Sequence, residues 1–178
     1  MQEILTHQQI EQKINRLAHQ LLENCFKEKE IFIGGIHGNG FTLAKKLCAI
    51  IEQHSKITLH LFEVKINKAE PWYEDVQLSI DKQKMKNGFV VLVDDVLNSG
   101  KTMQFALVEI LQFPTKAIKT LTLVDRKHSR LPIKANLVGM SLSTTLKEHV
   151  KVDLTENSSK AYLVLPIALQ NPAQTMTT

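Results

Sequence analysis

Two adjacent carboxylates, Asp94 and Asp95, follow the apolar run Phe89-Val-Val-Leu-Val93, and Val96, Leu97, Asn98, Ser99, Gly100, Lys101 and Thr102 come directly after them. A run that is apolar throughout fits a strand covered on both faces of a parallel sheet. In open α/β sheets, ligands sit at the carboxyl end of such strands. Asn98 to Thr102 offers several backbone N–H groups and two hydroxyls to one anion, and the start of a following helix adds partial positive charge. Asp94 and Asp95 repel an anion, so they suit neutral hydroxyls or a divalent cation. A sugar phosphate with magnesium satisfies both halves of the segment.

Other anion motifs fit less well. A Walker A loop needs glycine five residues before Gly100, where Asp95 stands, so Gly-Lys-Thr is a partial match only. The glycine-rich turn Gly34-Gly-Ile-His-Gly-Asn-Gly40 follows a short apolar run, yet Leu43 occupies the place of a third glycine in the dinucleotide fingerprint. The plain alternative, two aspartates that only cap the next helix, leaves Asn-Ser-Gly-Lys-Thr unexplained. Cys25 and Cys48 sit in apolar helical patterns with no second thiol or histidine at ligand spacing, which predicts buried free thiols. The seven histidines include no metal-spaced pair.

The elements that must position these residues can be read from periodicity. Ile10, Ile14, Leu17, Ala18, Leu21 and Leu22 recur at helical spacing between His7 and Phe26. A strand at 31–33, the glycine turn and a helix carrying Leu43, Ala44, Leu47, Ile50 and Ile51 follow. Residues 57–66 alternate as a strand, 67–75 break it, and 76–80 return. After the strand beginning at Phe89 come a helix at 101–112, a strand at 117–124 and short strands near 136–142, 150–154 and 161–165. This alternation predicts right-handed βαβ units and an open, mostly parallel sheet.

A length of 178 residues suits one compact domain. No stretch approaches the roughly 18 uninterrupted apolar residues of a membrane span, and the start Met1-Gln-Glu-Ile-Leu-Thr-His7 lacks the pattern of a secretory signal. The cytoplasm is the expected address. The net charge of +4 is spread along the chain and selects no partner.

Four apolar residues, two acids, two apolar residues, a variable residue, then Ser, Gly, a further residue and Thr make up Val90 to Thr102. This segment resembles the phosphoribosyl pyrophosphate signature of type I phosphoribosyltransferases. Arg16-Leu-Ala-His19, Leu43-Ala-Lys-Lys-Leu47, Val124 to Ile133 and Lys147 to Val152 extend the resemblance to the bacterial pyrimidine operon attenuator proteins that double as uracil phosphoribosyltransferases. It covers roughly residues 8 to 165.

The resemblance implies an α/β fold of three layers, an open, mostly parallel twisted sheet with helices on both faces, plus a small hood. Residues 1–166 would form the single domain, with a lid at about 67–87, a hood from about 125–165 with N-terminal contributions, and a polar tail at 167–178. It also implies transfer of the phosphoribosyl group from phosphoribosyl pyrophosphate to a nucleobase, uracil in first place, with release of pyrophosphate. Asp94 and Asp95 would hold the ribose hydroxyls and set negative charge beside the cationic ring of the transition state. Val96 to Thr102 would hold the 5-phosphate, and magnesium would arrive with the substrate. Ile36, His37, Gly38, Asn39 and Gly40 match the pyrophosphate loop, where the family implies a strained, cis Ile36–His37 peptide. Asp125, Arg126, Leu146 and Lys147 fall where the base would rest.

Some positions depart from the pattern. The attenuator proteins carry Thr-Arg-Gly where this chain has Gly38-Asn-Gly40, so an arginine's charge is missing. Asn98 stands where purine-specific relatives carry an acid, which turns the expectation away from purines. The same resemblance implies a homodimer and an alternative function as an RNA-binding regulator of pyrimidine genes. His19, Lys134 and Lys147 lie in the matching segments, and the apolar stripe of the first helix offers a surface for self-association.

Overall fold

The computed structural model describes residues 1–145 and 148–165. The expected base contacts Leu146 and Lys147 and the expected tail at 167–178 lie outside the described residues. The chain runs β1 (Gln2–Leu5), α1 (His7–Cys25), β2 (Glu30–Ile36), α2 (Asn39–His54), β3 (Thr58–Lys65) and β4 (Gln77–Leu78). It continues as β5 (Phe89–Leu97), α3 (Lys101–Ile110), β6 (Ala117–Asp125), β7 (Leu137–Ser141), β8 (His149–Asp153) and β9 (Lys160–Val164).

Six strands form the main sheet in the order β4-β3-β2-β5-β6-β7, parallel except for β4, which pairs antiparallel with β3. From β2 the chain moves to β3 on one side, whereas β5 lies on the other side of β2. The sheet therefore changes direction between β2 and β5, and a crevice opens there beyond the carboxyl ends of both strands.

The run Phe89 to Val93 is buried throughout because both of its faces are covered. Phe89, Val91 and Val93 face a core formed with α1 and α2, through residues such as Leu17, Leu21, Leu43 and Leu47. Val90 and Leu92 face a second core with Phe32, Phe62 and the α3 residues Met103, Ala106 and Ile110. The period of two along the strand thus serves two helical layers. Thr6 opens α1 with a capping box, its Oγ1 accepting from the Gln9 backbone while Gln9 Oε1 accepts from the Thr6 backbone.

The apolar stripe of α1 is used within the protomer. Ile10, Ile14, Leu17, Ala18 and Leu21 are all fully buried against α2 and the sheet, so the stripe offers no surface to a second copy. Cys25 and Cys48 are buried free thiols, and burial raises them to about 11 and about 12. Beside the main sheet, β1, β9 and β8 make a small antiparallel sheet in that order. Its first strand comes from the N-terminus and the other two from the end of the described chain.

Candidate active site

Strand β5 continues through both acids to Leu97 rather than stopping before them. Asp94 is buried at the strand's end, and its Oδ1 accepts from the Asp95 backbone N–H at 2.9 Å. Burial first, then the neighbouring Asp95 charge, push the Asp94 carboxyl well above the usual carboxylate range, and Lys68 opposes them. Asp95 is only half-buried. The pair thus comprises one acid that resists ionising and one open to the crevice.

The chain after Leu97 turns through Gly100, which has φ of +81° and stands immediately before α3. A side chain there would be strained by that φ and would meet Ile133 Cγ2 at 2.5 Å, so glycine is required twice over. Ser99 is braced from outside: its carbonyl accepts from the Arg130 and Leu131 backbones at 2.9 and 3.3 Å. Its Oγ accepts from the Lys101 backbone N–H at 3.4 Å. The first turn of α3 therefore opens onto a fixed loop, the arrangement that binds anions.

The loop forms one side of a cleft of about 530 Å³. Asp94, Asp95, Val96, Leu97, Asn98, Ser99, Gly100, Lys101 and Thr102 all line it, together with Asn39. Opposite stands β8, through Val150, Lys151, Val152 and Asp153. Lys68, from the segment after β3, completes the wall. Sequence reasoning passed over Lys68, Lys151 and Asp153. Lysine and aspartate in polar segments carry no periodic signal, and only the fold brings those segments to the strand ends.

The second glycine-rich turn lies beside this cleft. The Ile36–His37 peptide was expected to be cis, but no cis bond occurs among the described residues. The His37 N–H donates to the Val64 carbonyl at 2.8 Å, extending the β2–β3 ladder by one residue. The chain then turns at Gly38, with φ of +93°. His37 points away to Glu63, with Nδ1 2.6 Å from Oε1. Asn39 Nδ2 donates to the Val152 carbonyl at 2.6 Å, which ties the turn to β8. Gly40 packs against the strand end, where a Cβ would lie 3.1 Å from Asp94 Oδ1.

Asp125 and Arg126 do not line the cleft. Asp125 Oδ1 accepts from the Lys127 backbone N–H at 2.8 Å and so caps a turn. Arg126 is buried behind the loop, where its guanidinium donates to Asn98 Oδ1 at 2.5 Å, Thr144 Oγ1 at 2.9 Å and the carbonyls of Thr145 and Glu148 at 3.2 and 2.6 Å. His19 is half-buried on α1, its ring edge-on to His54 at 4.8 Å, and Lys134 is exposed between β6 and β7. No contact joins those two among the described residues.

An anion cradle with two acids at the switch point of a mostly parallel sheet, faced by a small antiparallel hood, defines the type I phosphoribosyltransferase class. The phosphoribosyl transferase domain matches residues 1–157. The chain belongs to that family and is a phosphoribosyltransferase. It is similar to the bifunctional protein PyrR of Macrococcus caseolyticus, 32% identical over 168 residues that cover 91% of this chain and 97% of that protein. The bifunctional protein PyrR of Alkaliphilus metalliredigens is 32% identical over 172 residues, 91% of this chain and 93% of that one. Among solved structures, a hypoxanthine-guanine phosphoribosyltransferase of Bacillus anthracis shares the fold with a TM-score of 0.71 at 22% identity, over 92% of this chain and 98% of that chain. The hypoxanthine phosphoribosyltransferase of Trypanosoma cruzi does so with a TM-score of 0.72 at 14% identity, over 93% and 97%.

Proposed function

We propose that this phosphoribosyltransferase moves the phosphoribosyl group of phosphoribosyl pyrophosphate to uracil and releases pyrophosphate. The observation that carries the reading is the cleft in which the Asn98–Thr102 loop and both acids lie side by side. Backbone N–H groups of that loop, the Ser99 and Thr102 hydroxyls and the start of α3 bind the 5-phosphate. Asp94 and Asp95 receive the ribose hydroxyls. As the bond from C1 to pyrophosphate breaks and the bond from C1 to uracil nitrogen forms, positive charge grows on the sugar ring beside them. The nitrogen's proton leaves to solvent.

Gly38 to Gly40 lets backbone approach the departing pyrophosphate. Lys68 and Lys151, which line the same cleft, supply positive charge on the side where the attenuator pattern has an arginine in that turn. The donor set suits magnesium: the half-buried Asp95 carboxylate beside the phosphate cradle is a hard oxygen donor that would help hold the ion. An ion held there would supply positive charge to the leaving pyrophosphate. Residues 67–87 act as the lid that keeps water from the activated sugar. The resemblance to the attenuator proteins supports uracil as the acceptor and cytoplasmic chemistry. Purified protein with magnesium and phosphoribosyl pyrophosphate should convert labelled uracil to its nucleotide; a preference for hypoxanthine or guanine would overturn the choice of base.

A second activity is supported by the name of the curated relatives, which calls them bifunctional. By the attenuator resemblance, that activity is binding of a pyrimidine-operon leader RNA by a homodimer, through His19, Lys134 and Lys147. It predicts salt-sensitive binding that responds to uridine nucleotides. Absence of binding to such a transcript at low salt removes it.

A further inference from the structure

Within the segment 67–87 the second part is fixed to the body of the protein. Gln77 and Leu78 pair with Lys65 and Val64 of β3. The Ser79 N–H donates to the Glu63 carbonyl at 3.0 Å, and its Oγ accepts from the Glu63 N–H at 2.7 Å. Lys82 is ion-paired with the buried Glu109 of α3, and Met85 is fully buried. Residues 67–75 are held by a different device, a single carboxamide. Asn67 Oδ1 accepts from the backbone N–H groups of Ala69 and Glu70, each at 3.1 Å, and its Nδ2 donates to Glu74 Oε1 at 2.9 Å. The Tyr73 N–H adds a bond to the Glu70 carbonyl at 3.2 Å. Both ends of the Asn67 amide are thus used to close the loop on itself, its start joined to its far side. Lys68, which lines the cleft, lies inside the loop so closed.

We propose that Asn67 is a positioning residue whose clasp to Glu74 makes 67–75 a preformed flap, which swings over the cleft as one body between Ile66, packed on the second core, and the buried Val76. The inference rests on the reading of 67–87 as the lid of a phosphoribosyl-transfer site. An unclasped loop must order each of its residues at the moment of closing and loses conformational entropy at every one. A flap that is already ordered closes without that loss, so the closed state is better populated and water is kept from C1. With the clasp broken, a water oxygen bonds to C1 in place of uracil as the bond to pyrophosphate breaks. The water's proton leaves to solvent, and the products are ribose 5-phosphate and pyrophosphate.

The test counts pyrophosphate released against uracil nucleotide formed, with magnesium and saturating phosphoribosyl pyrophosphate. In Asn67→Asp the new carboxylate still accepts from Ala69 and Glu70 but repels Glu74, so pyrophosphate released per nucleotide should rise at least about twofold over wild type. Adding Glu74→Gln to that variant supplies a donor from the other side of the clasp and should return the ratio to near the wild-type value. A residue that only supported the fold would neither shift this partition nor be rescued by the exchange. A wild-type ratio in Asn67→Asp, or a double variant as leaky as the single one, overturns the inference. Hydrogen exchange of the wild type checks the underlying reading separately: phosphoribosyl pyrophosphate should slow exchange at 68–75 and leave 77–85 unchanged. Slowing that spreads equally over 77–85 overturns the confinement of the flap, whereas no slowing at 68–75 overturns the lid reading itself. Wild-type inactivity with every nucleobase would instead overturn the transfer reading.

Discussion

At the residue scale the burial of the Asp94 carboxyl has a consequence for stability. Asp94 holds its proton to higher pH in the folded chain than in the unfolded one, because burial and Asp95 both penalise its charge. Between the ordinary carboxyl value of 3.8 and the raised folded value, the folded state binds the extra proton, so stability falls as pH rises through that window and stays reduced above it. Asp94→Asn keeps an oxygen for the Asp95 N–H and removes the charge. Its melting temperature at neutral pH should exceed that of wild type by a few degrees, the gain vanishing near pH ~4, while phosphoribosyl transfer falls sharply. A lower melting temperature at neutral pH would contradict this account. Asp94, Asp95 and the loop to Thr102 were legible as a group because an apolar strand, paired acids and a Ser-Gly-Lys-Thr turn are unusual in succession. Lys68, Lys151 and Asp153 were not, since their position depends on where distant backbone lies. Arg126 was expected against the base, yet it does not line the cleft, and its burial behind the loop follows from four acceptors that no spacing announces.

At the element scale the segment after β3 is held onto α3 by the loop's own lysine. Lys101 Nζ donates to the Ala69 carbonyl at 3.2 Å and lies 5.4 Å from the Trp72 ring centre, while Trp72 meets Phe105 edge-on at 5.3 Å. Trp72 is nonetheless 66% exposed, so its environment will follow any movement of the segment. It is also the chain's sole tryptophan. An anion in the loop competes for the Lys101 ammonium and weakens its attraction to the indole. Titration with phosphoribosyl pyrophosphate should therefore change tryptophan emission saturably, and Lys101→Met should lose most of that change. Unchanged wild-type emission at saturating ligand would sink the coupling. Among the elements, α1 and β5 were plain in the sequence because their burial is periodic or complete. Strand β1 was not: Gln2, Glu3 and Leu5 pair with β9 at the other end of the described chain, with a register shift between Glu3 and Leu5, and so leave no local pattern. The helix after Gly38 begins at Asn39, with no side-chain cap to mark it.

At the scale of the whole molecule, two cores on opposite faces of one sheet hold the strand ends still, and the hood joins the two ends of the described chain across them. Arg16 Nη2 links α1 to the sheet's far edge through the Val138 and Gly139 carbonyls at 3.1 and 2.6 Å. Ile14, fully buried in the first core, reports on that layer: Ile14→Ala should cost about 2–5 kcal/mol in denaturant unfolding. A loss below ~1 kcal/mol would mean that α1 packs elsewhere in solution. No helix among the described residues is long and apolar enough to cross a membrane. The alternation of strands and helices made the sheet legible, whereas the hood was legible only through family resemblance because its strands are short and mixed in character. The central claim is that the Val90–Thr102 segment binds and activates phosphoribosyl pyrophosphate. Its most direct test is pyrophosphate release from phosphoribosyl pyrophosphate with uracil and magnesium, compared between wild type and Asp95→Asn. The account predicts uracil-dependent release by wild type and a loss of at least about a hundredfold in the variant; equal rates in the two proteins, or no release by wild type with any nucleobase, would contradict it.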